Sequence, residues 1–195
     1  MTILLFSGGL DSSTLLYKLI DEGHDVECLA FNYGQKHRRE LLAAKEIAAT
    51  LGVSLHVVQL PHIWGNLEVS GSDVIPNRNM VFLSIAAAYA INRGADSVAW
   101  GPNRDDWGVY PDCREDFAES MRDALSLCHN YPIGLMTPFI SVTKTEVVKL
   151  AHSLEVPIGA TWSCYEGGRK PCRKCSACVT RAKAIQEVKS NNQVK

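Results

Sequence analysis

Four of the seven cysteines in this 195-residue chain stand within fifteen positions near its end. The spacing C-x7-C-x2-C-x2-C joins Cys164, Cys172, Cys175 and Cys178. Four thiolates with two CxxC steps are typical of tetrahedral Zn²⁺, and an iron–sulfur cluster is the main alternative because it also takes four cysteines. Four protein ligands leave no open position for water or substrate, so the spacing predicts a structural metal site.

A second pattern with chemical potential is FSGGLDSS, at residues 6–13. Adjacent Gly8 and Gly9 would let backbone amides approach a ligand closely, and the helix that follows would add unpaired N–H groups and a positive dipole end. Residues 7–13, named the SGG loop below, contain no lysine and no GxGxxG spacing, which excludes the two common phosphate-loop motifs. The pattern predicts an anion cradle, and an ordinary capped turn is the alternative.

Composition narrows the class of protein. The chain is 46% hydrophobic and carries 20 basic against 21 acidic residues, which predicts one globular domain and argues against a general nucleic-acid binder. The first eleven residues have no basic region before Gly8, so we expect no signal peptide or membrane span and a cytoplasmic location. Thiols stay reduced there, which favours metal ligation by the cluster. The remaining cysteines, Cys28, Cys113 and Cys128, are interpreted as packing residues.

Short apolar runs alternate with amphipathic segments along the chain, and this predicts an α/β fold with a doubly wound parallel sheet. Strands are predicted at residues 2–6, 26–33, 54–60, 96–101 and 134–139. Helices are predicted at 12–23, 38–52, 79–94, 114–128 and 144–155, the last capped by Thr143 or Ser141. Ligands of such sheets bind beyond the carboxyl ends of the strands.

The predicted organisation has three parts. Residues 1–160 form the nucleotide-binding α/β domain, residues 161–189 the cysteine segment with a terminal helix, and residues 190–195 a frayed tail. A long irregular stretch at residues 61–78 is expected to be functional, with Trp64 either covering the nucleotide or anchoring the loop.

The SGGxDS pattern resembles the pyrophosphate loop of the N-type ATP pyrophosphatases, the PP-loop superfamily with an adenine nucleotide alpha hydrolase-like fold. Further blocks narrow the resemblance, and they occur in the order found in the 7-cyano-7-deazaguanine synthase (QueC) family. These blocks are YGQKHRREL (33–41), IPNRNMVFLSIAAAYA (75–90), YPDCREDF (110–117), TPFISVTKTEVVKLA (137–151) and the cysteine cluster.

This resemblance implies an ATP-dependent carbon–nitrogen ligase. It would convert 7-carboxy-7-deazaguanine and ammonia to 7-cyano-7-deazaguanine through an adenylated acid and an adenylated amide. The resemblance further implies ATP and Mg²⁺, one structural Zn²⁺ per chain, a homodimer, and no membrane or nucleic-acid partner.

The resemblance also implies roles for individual residues. The catalytic candidates are Asp11, Arg78 and Lys144. The nucleotide-binding candidates are Ser7, Gly8, Gly9, Leu10, Asp11, Ser12, Ser13, Tyr33, Gln35, Arg78 and Asn79. The deazapurine candidates are Arg104, Asp105, Tyr110, Asp112 and Arg114, of which Asp112 could equally cap the following helix.

Two alternatives stay open. Gly108 and Val109 stand before YPDC where the family has a Ser-Gly pair, so a variant that stops at the amide or uses another deazapurine is possible. A different class, an RNA-modifying ATP pyrophosphatase or zinc-ribbon nucleic-acid binder, is favoured by the basic stretch GGRKPCRKC at residues 167–175. The balanced net charge argues against that class.

Overall fold

A five-stranded parallel sheet forms the centre of the computed structural model, which describes residues 1–35, 38–60 and 75–192. The strands are β1 (Thr2–Leu5), β2 (Val26–Asn32), β3 (Leu55–Gln59), β4 (Ser97–Ala99) and β5 (Gly134–Met136). They lie in the order β3-β2-β1-β4-β5, and every neighbouring pair is parallel. Strands β4 and β5 are shorter than the predicted runs, since they end at Ala99 and Met136.

Six α-helices lie within the described residues. They are α1 (Leu10–Asp21), α2 (Arg39–Leu51), α3 (Arg78–Arg93), α4 (Glu115–Leu127), α5 (Lys144–Ser153) and α6 (Ser176–Asn192). Short 3₁₀ turns occupy Arg104–Asp106, Pro111–Cys113 and Ile158–Ala160. Helix α6 extends through Asn192, three residues into the predicted frayed tail, and the division into a main domain and a cysteine segment stays a prediction.

Helices cover both faces of the sheet. On one face Ile3 packs with Leu83 and Met121, side chains of α3 and α4. On the other face the next residue along β1, Leu4, packs with α1, α2 and α5. Successive side chains of a strand point to opposite faces, which is why apolar residues fill β1 without alternation. The predicted doubly wound sheet is confirmed.

Helix α6 packs against α5, on the side of the sheet that α1 and α5 cover. Its buried residues Ala184 and Val188 pack against Val148 and Ala151 of α5, and Leu10 of α1 joins this cluster. The segment that follows the cysteines is therefore joined to the main domain by an apolar interface.

The sequence explains two helix starts that position the site. Thr143 caps α5 as predicted: its Oγ1 accepts from the Glu146 amide at 3.2 Å, and the Glu146 carboxylate accepts from the Thr143 amide at 2.9 Å. Helix α1 starts at Leu10, two residues earlier than predicted, because Gly9 is extended and its carbonyl already accepts from the Ser13 amide at 3.0 Å. Residues 7–9 of the SGG loop thus lead directly into the first turn of α1, which the remaining residues of the loop form.

Strand order reverses direction between β1 and β4, and the loops that follow these strands meet at one rim. In open parallel sheets this switch point is where ligands bind. Most of the predicted loop at residues 61–78, including Trp64, lies outside the described residues. No helix in the described ranges combines the length and apolar character needed to cross a membrane.

Candidate active site

A cavity of about 330 Å³ opens at the rim beyond β1 and β4. Its floor is the SGG loop, and its walls come from the starts of α3 and α5, the 105–113 stretch and the segment after the last 3₁₀ turn. Of the predicted site residues, these line it: Ser7, Gly9, Leu10, Asp11, Ser12, Tyr33, Arg78, Asn79, Asp105, Tyr110, Asp112 and Lys144. The fold thus gathers most of the predicted site into one space.

The SGG loop is held in shape by its own side chains and by α2 behind it. Gly8 has φ +77°, and a Cβ there would lie 2.5 Å from the Ala44 nitrogen and the Glu40 carbonyl oxygen. No other residue type fits at Gly8 without moving backbone. The Ser7 hydroxyl accepts from the Gly9 amide at 3.2 Å and lies 3.1 Å from the Ser12 hydroxyl.

An acid–base pair closes one side of the loop. Lys144, the first residue of α5, places its Nζ 2.7 Å and 2.5 Å from the two carboxylate oxygens of Asp11, in the first turn of α1. Both side chains are largely buried, with 11% and 22% of their surface exposed. The structure therefore joins two of the three predicted catalytic residues across 133 positions of sequence.

Asn103 orders the acidic side of this pair. Its Nδ2 donates to Asp106 at 2.8 Å and lies 3.4 Å from Asp11 Oδ2, and the Asp105 carboxylate accepts from the Lys144 amide at 3.1 Å. Burial, with the Asp11 charge adding to it, raises the pKa of Asp106 to about 6. Asn103 was not a predicted site residue, and Asp106 directly follows Asp105, a predicted deazapurine contact.

The opposite wall carries the third predicted catalytic residue. Arg78 begins α3 after Asn77, whose left-handed φ of 61° turns the chain into the helix. Its guanidinium donates to the Tyr33 hydroxyl at 3.2 Å and lies 5.9 Å from the centre of that ring. Arg78 faces the cavity from the side away from Lys144, so cations flank the space above the SGG loop.

Glu40 faces the same wall and is a site residue that sequence reasoning missed. Its carboxylate accepts from Gln35 Nε2 at 3.0 Å, and burial raises its pKa to about 7. Gln35 does not line the cavity itself, because its amide is used by Glu40 and by the Phe31 carbonyl at 3.0 Å. Gln35 thus supports the wall from behind.

The predicted deazapurine stretch divides between cavity and surface. Asp105, Tyr110 and Asp112 line the cavity, and the Tyr110 hydroxyl lies 3.3 Å from that of Tyr165. Asp112 lies in a 3₁₀ turn, and no side chain caps α4, whose N-cap position is Arg114. Of the two interpretations of Asp112, the capping one is wrong.

Arg104 and Arg114 lie outside the cavity lining. Both are exposed, and Arg114 Nε donates to the Trp107 carbonyl at 3.0 Å. Their contact with substrate stays a prediction that this geometry does not support. Gly8 and Ser13 are also absent from the lining, because Gly8 turns its α-carbon toward α2 and Ser13 is fully buried.

Cys113 lines the cavity as a buried thiol, and burial raises its pKa far above the ordinary range. Asn79 Nδ2 lies 3.8 Å from its sulfur. A thiol that stays protonated at neutral pH is a poor nucleophile, in keeping with a packing role.

Four cysteine sulfurs form the second site, named the four-cysteine site here. The Sγ atoms of Cys164, Cys172, Cys175 and Cys178 all lie within 4.8 Å of one another. Tetrahedral zinc with Zn–S bonds of about 2.3 Å requires sulfurs about 3.8 Å apart, and Cys172 and Cys178 are 3.9 Å apart. The donor set fits a single ion better than a four-iron cluster, in which each cysteine binds a different iron.

Backbone amides further prepare this site for a cation. The Cys172 sulfur accepts from the amides of Cys175 at 3.3 Å and Lys174 at 3.4 Å, and these bonds lower its pKa to about 7. The Cys164 sulfur accepts from the Cys172 amide at 3.3 Å. Amide donors stabilise thiolates, the form that binds metal.

Comparison with known proteins places the chain in a family. Residues 1–70 and 67–189 match the family described as "Queuosine biosynthesis protein QueC". The chain belongs to the QueC family. A QueC-family relative from Archaeoglobus fulgidus, named 7-cyano-7-deazaguanine synthase, is 39% identical over 94% of this chain and 84% of its own. A protein of the same name from Caldicellulosiruptor bescii is 37% identical over 95% of this chain and 92% of its own.

Solved structures support the fold alone. NMN synthetase from Francisella tularensis has a TM-score of 0.56 at 17% identity, covering 82% of this chain and 63% of that one. The U34-tRNA thiolase NcsA from Methanococcus maripaludis, solved with its [4Fe-4S] cluster, has a TM-score of 0.54 at 17% identity. It covers 98% of this chain and 65% of its own. The predicted α/β architecture is confirmed.

Several cavity residues had no part in the sequence argument. They are Glu40, Trp162, Ser163, Tyr165, Ser176, Ala177 and Thr180. Glu40 stands inside the quoted block YGQKHRREL, and Trp162 and Tyr165 flank the first cysteine of the cluster. Both stretches were recognisable in the sequence as parts of a motif. The cysteine spacing by itself, however, gives no reason to expect that the aromatic residues beside the first cysteine line the cavity.

Proposed function

We propose that this chain is a 7-cyano-7-deazaguanine synthase, an ATP-dependent ligase that joins the nitrogen of ammonia to 7-carboxy-7-deazaguanine and converts the acid to a nitrile. The observation that carries the proposal is the convergence of the family's sequence blocks on one cavity. The SGG loop, the Asp11–Lys144 pair, Arg78 and the aromatic and acidic wall all face this space.

The chemistry requires activation of a poor electrophile. A carboxylate repels nucleophiles and has no good leaving group, whereas its adenylate releases AMP when ammonia attacks. The resulting amide oxygen would attack a second ATP in the same way, and loss of a proton and AMP from the adenylated amide would leave the nitrile. We propose these adenylated intermediates for the chain because the cavity offers cations and positioned amides and no activated protein nucleophile among the described residues.

Specific residues fit specific parts of this scheme. The amides of the SGG loop and the N-terminus of α1 would bind the pyrophosphate of ATP. Lys144 is positioned by Asp11 to neutralise charge that develops at the α-phosphate during adenylation, and Arg78 would do the same from the opposite wall. Asp11 thus acts by holding the ammonium of Lys144 within reach of the phosphate.

The deazapurine would lie against the other end of the cavity. Asp105 and Asp112 offer carboxylate oxygens to the amino and N–H groups of a guanine-like edge, and Tyr110 offers a ring face. The paired hydroxyls of Tyr110 and Tyr165 would close this pocket.

Two metals complete the proposal. Mg²⁺ would bind with ATP near Asp11 and Asp106, since hard cations take carboxylate and phosphate oxygens and the two carboxylates face each other across Asn103. Zn²⁺ would bind the four-cysteine site, where the sulfur separations and amide donors fit it, and would supply local folding energy. Free ammonium as the nitrogen source, a cytoplasmic location and a homodimer remain proposals.

A product assay tests the function. Purified protein is incubated with ATP, Mg²⁺, ammonium and 7-carboxy-7-deazaguanine, and products are identified by mass against reactions that lack ammonium or ATP. We expect nitrile and AMP only in the complete reaction. Amide as the final product would shift the proposal to the variant that stops early, and no turnover of the acid would contradict it.

A further inference from the structure

Trp162 touches both the SGG loop and the four-cysteine site. Its backbone N–H donates to the Gly8 carbonyl at 2.9 Å, and its indole N–H donates to the Cys164 carbonyl at 2.9 Å. The residue also lines the cavity. A single residue therefore connects a metal ligand to the glycine whose conformation shapes the loop.

Arg39 makes a second connection between the same two sites. Its guanidinium lies 5.2 Å from the centre of the Trp162 ring and donates to the carbonyl of Arg169, between the first and second cysteines. Arg39 begins α2, the helix whose backbone at Glu40 and Ala44 lies directly behind Gly8. The indole is thus held between a cation from α2 and a carbonyl of the four-cysteine site.

Arg181 fixes the stretch of chain that carries Trp162. It extends from α6 and donates to Thr161 Oγ1 at 2.7 Å, Ser163 Oγ at 3.1 Å and the Ile158 carbonyl at 2.5 Å. Helix α6 begins immediately after Cys175 and contains Cys178. The metal ligands at the start of α6 therefore share one rigid element with the residue that holds the Trp162 segment.

The chain between the ligands has little to hold it without a metal. None of residues 165–175 is buried, so apolar packing contributes little to their order. Without a metal to join the thiolates, the exposed Arg169 would be free to move and the buried Cys164 would lose the restraint on its sulfur, which would loosen both contacts that hold the indole.

We infer that Trp162 is a positioning residue that couples metal binding at the four-cysteine site to nucleotide affinity at the SGG loop. The inference rests on the proposed binding of ATP there. Because coupling between two binding sites is reciprocal, the metal raises nucleotide affinity and the nucleotide raises metal affinity by the same factor.

Binding measurements on the full chain test this coupling. Calorimetry with α,β-methylene-ATP and Mg²⁺ gives the nucleotide Kd of zinc-loaded and zinc-free protein. Equilibrium competition with a chromophoric chelator gives the zinc Kd with and without the analogue. For the wild type we expect each ligand to lower the Kd of the other by the same factor, called the coupling factor below. Its expected size is roughly threefold to tenfold, which corresponds to the free energy of one to two hydrogen bonds.

Trp162→Phe keeps an aromatic ring and removes the indole N–H, so the coupling factor is expected to fall toward one. Trp107→Phe is the matched control: Trp107 does not line the cavity, and its buried indole nitrogen has no hydrogen-bond partner among the described residues. Steady-state kinetics separate positioning from stability, because Trp162→Phe should raise the KM for ATP while kcat stays within about twofold.

Arg39→Met provides a second variant in case Trp162→Phe folds poorly, since Arg39 is exposed and its loss leaves the indole bond in place. Arg39→Met should lower the coupling factor to a value between one and that of the wild type. The inference would be overturned if both variants kept the wild-type coupling factor. It would also be overturned if zinc did not change the nucleotide Kd of the wild type. A zinc-loaded wild type that binds no analogue would overturn the proposed function and this inference with it.

Discussion

The SGG loop and the four-cysteine site are both built from short, polar, glycine-containing stretches, yet they obtain their order from different sources. The SGG loop lies between a buried strand and a helix whose Leu15, Leu16 and Leu19 are fully buried. Between the first and last cysteines, by contrast, no residue is buried. The core shapes the first site, and metal binding would have to shape the second.

This difference separates chemistry from stability. Substituting a functional side chain at the rim removes an interaction with ATP or substrate and leaves the core intact. Substituting a cysteine would remove the metal ligation that we propose to fold its own segment. The largest effects at the two sites should therefore appear in different measurements, and the following substitutions test that separation.

Asp11→Asn should produce the largest effect, a fall in kcat of about 10²–10³-fold, because the Lys144 ammonium loses the carboxylate that positions it beside the reacting phosphate. The protein should stay folded but lose some thermal stability, because the largely buried Lys144 ammonium keeps only a neutral amide as its partner. Asp21→Asn at the exposed end of the same helix is the matched control and should retain wild-type kcat. Comparable kcat values for the two variants would contradict the proposed role of Asp11 in positioning Lys144.

Cys175→Ser should affect stability first. We expect loss of bound zinc and a fall of about 4 kcal/mol or more in the free energy of unfolding, since a three-thiolate site binds zinc much more weakly. Zinc content by elemental analysis and urea unfolding measure the two quantities. Cys128→Ser replaces an exposed thiol outside the cluster and should keep both at wild-type values. A zinc-free Cys175→Ser protein with unchanged stability and activity would refute the structural role.

Gly8→Ala should destabilise the protein by roughly 2–4 kcal/mol, because the new Cβ would strike backbone of α2 and the residue has a left-handed φ. Gly9→Ala is the comparison within the same loop: its φ is −74°, and the nearest atom to its Cβ would be the Ser7 hydroxyl at 3.1 Å. Urea unfolding should give a clearly smaller loss for Gly9→Ala. Equal losses would mean that α2 does not restrain the loop.

Glu40 makes the free energy of unfolding depend on pH. Its pKa is raised from 4.5 to about 7 in the folded protein by burial. The folded state therefore holds a proton that the unfolded state has released, and the stability from this group is present below pH 4.5 and lost as pH rises through 7. Glu40→Gln should remove this share of the dependence, roughly 1–3 kcal/mol between pH 5 and pH 8, and leave the share that comes from Asp106. Urea unfolding at both pH values measures it.

Glu46→Gln on the exposed face of α2 is the control for this pH experiment, and it should keep the wild-type slope. If wild type and Glu40→Gln lose stability in parallel between pH 5 and pH 8, Glu40 is not the group responsible.

Local signals in the sequence predicted most of the fold. Apolar strands followed by amphipathic helices ending at Gly52 and Gly94 predicted the parallel sheet, and the two C-caps have the expected left-handed conformation. The SGG loop and the cysteine spacing were also recognisable as local patterns. In each, residues close together in the sequence supply most of the groups that would bind the ligand, backbone amides in the loop and sulfurs in the cluster.

The remainder of the site depends on tertiary contacts. Arg104 and Arg114 stand in the correct stretch, but the 3₁₀ turns direct them to the surface. Glu40 and Trp162 enter the cavity only because α2 and the cysteine segment pack on either side of Gly8. No spacing rule connects residues 8, 40 and 162, so sequence patterns alone could not bring them together.

Oxygen tracing tests the central claim most directly, that both adenylations occur on the same carboxyl group of the substrate. 7-Carboxy-7-deazaguanine labelled with ¹⁸O in both carboxylate oxygens is incubated with the protein, ammonium and MgATP, and the products are analysed by mass. The account predicts an unlabelled nitrile and two AMP molecules per nitrile, each carrying one ¹⁸O. Label in inorganic phosphate or water would contradict it. A product that keeps a labelled oxygen while AMP is formed would contradict it as well.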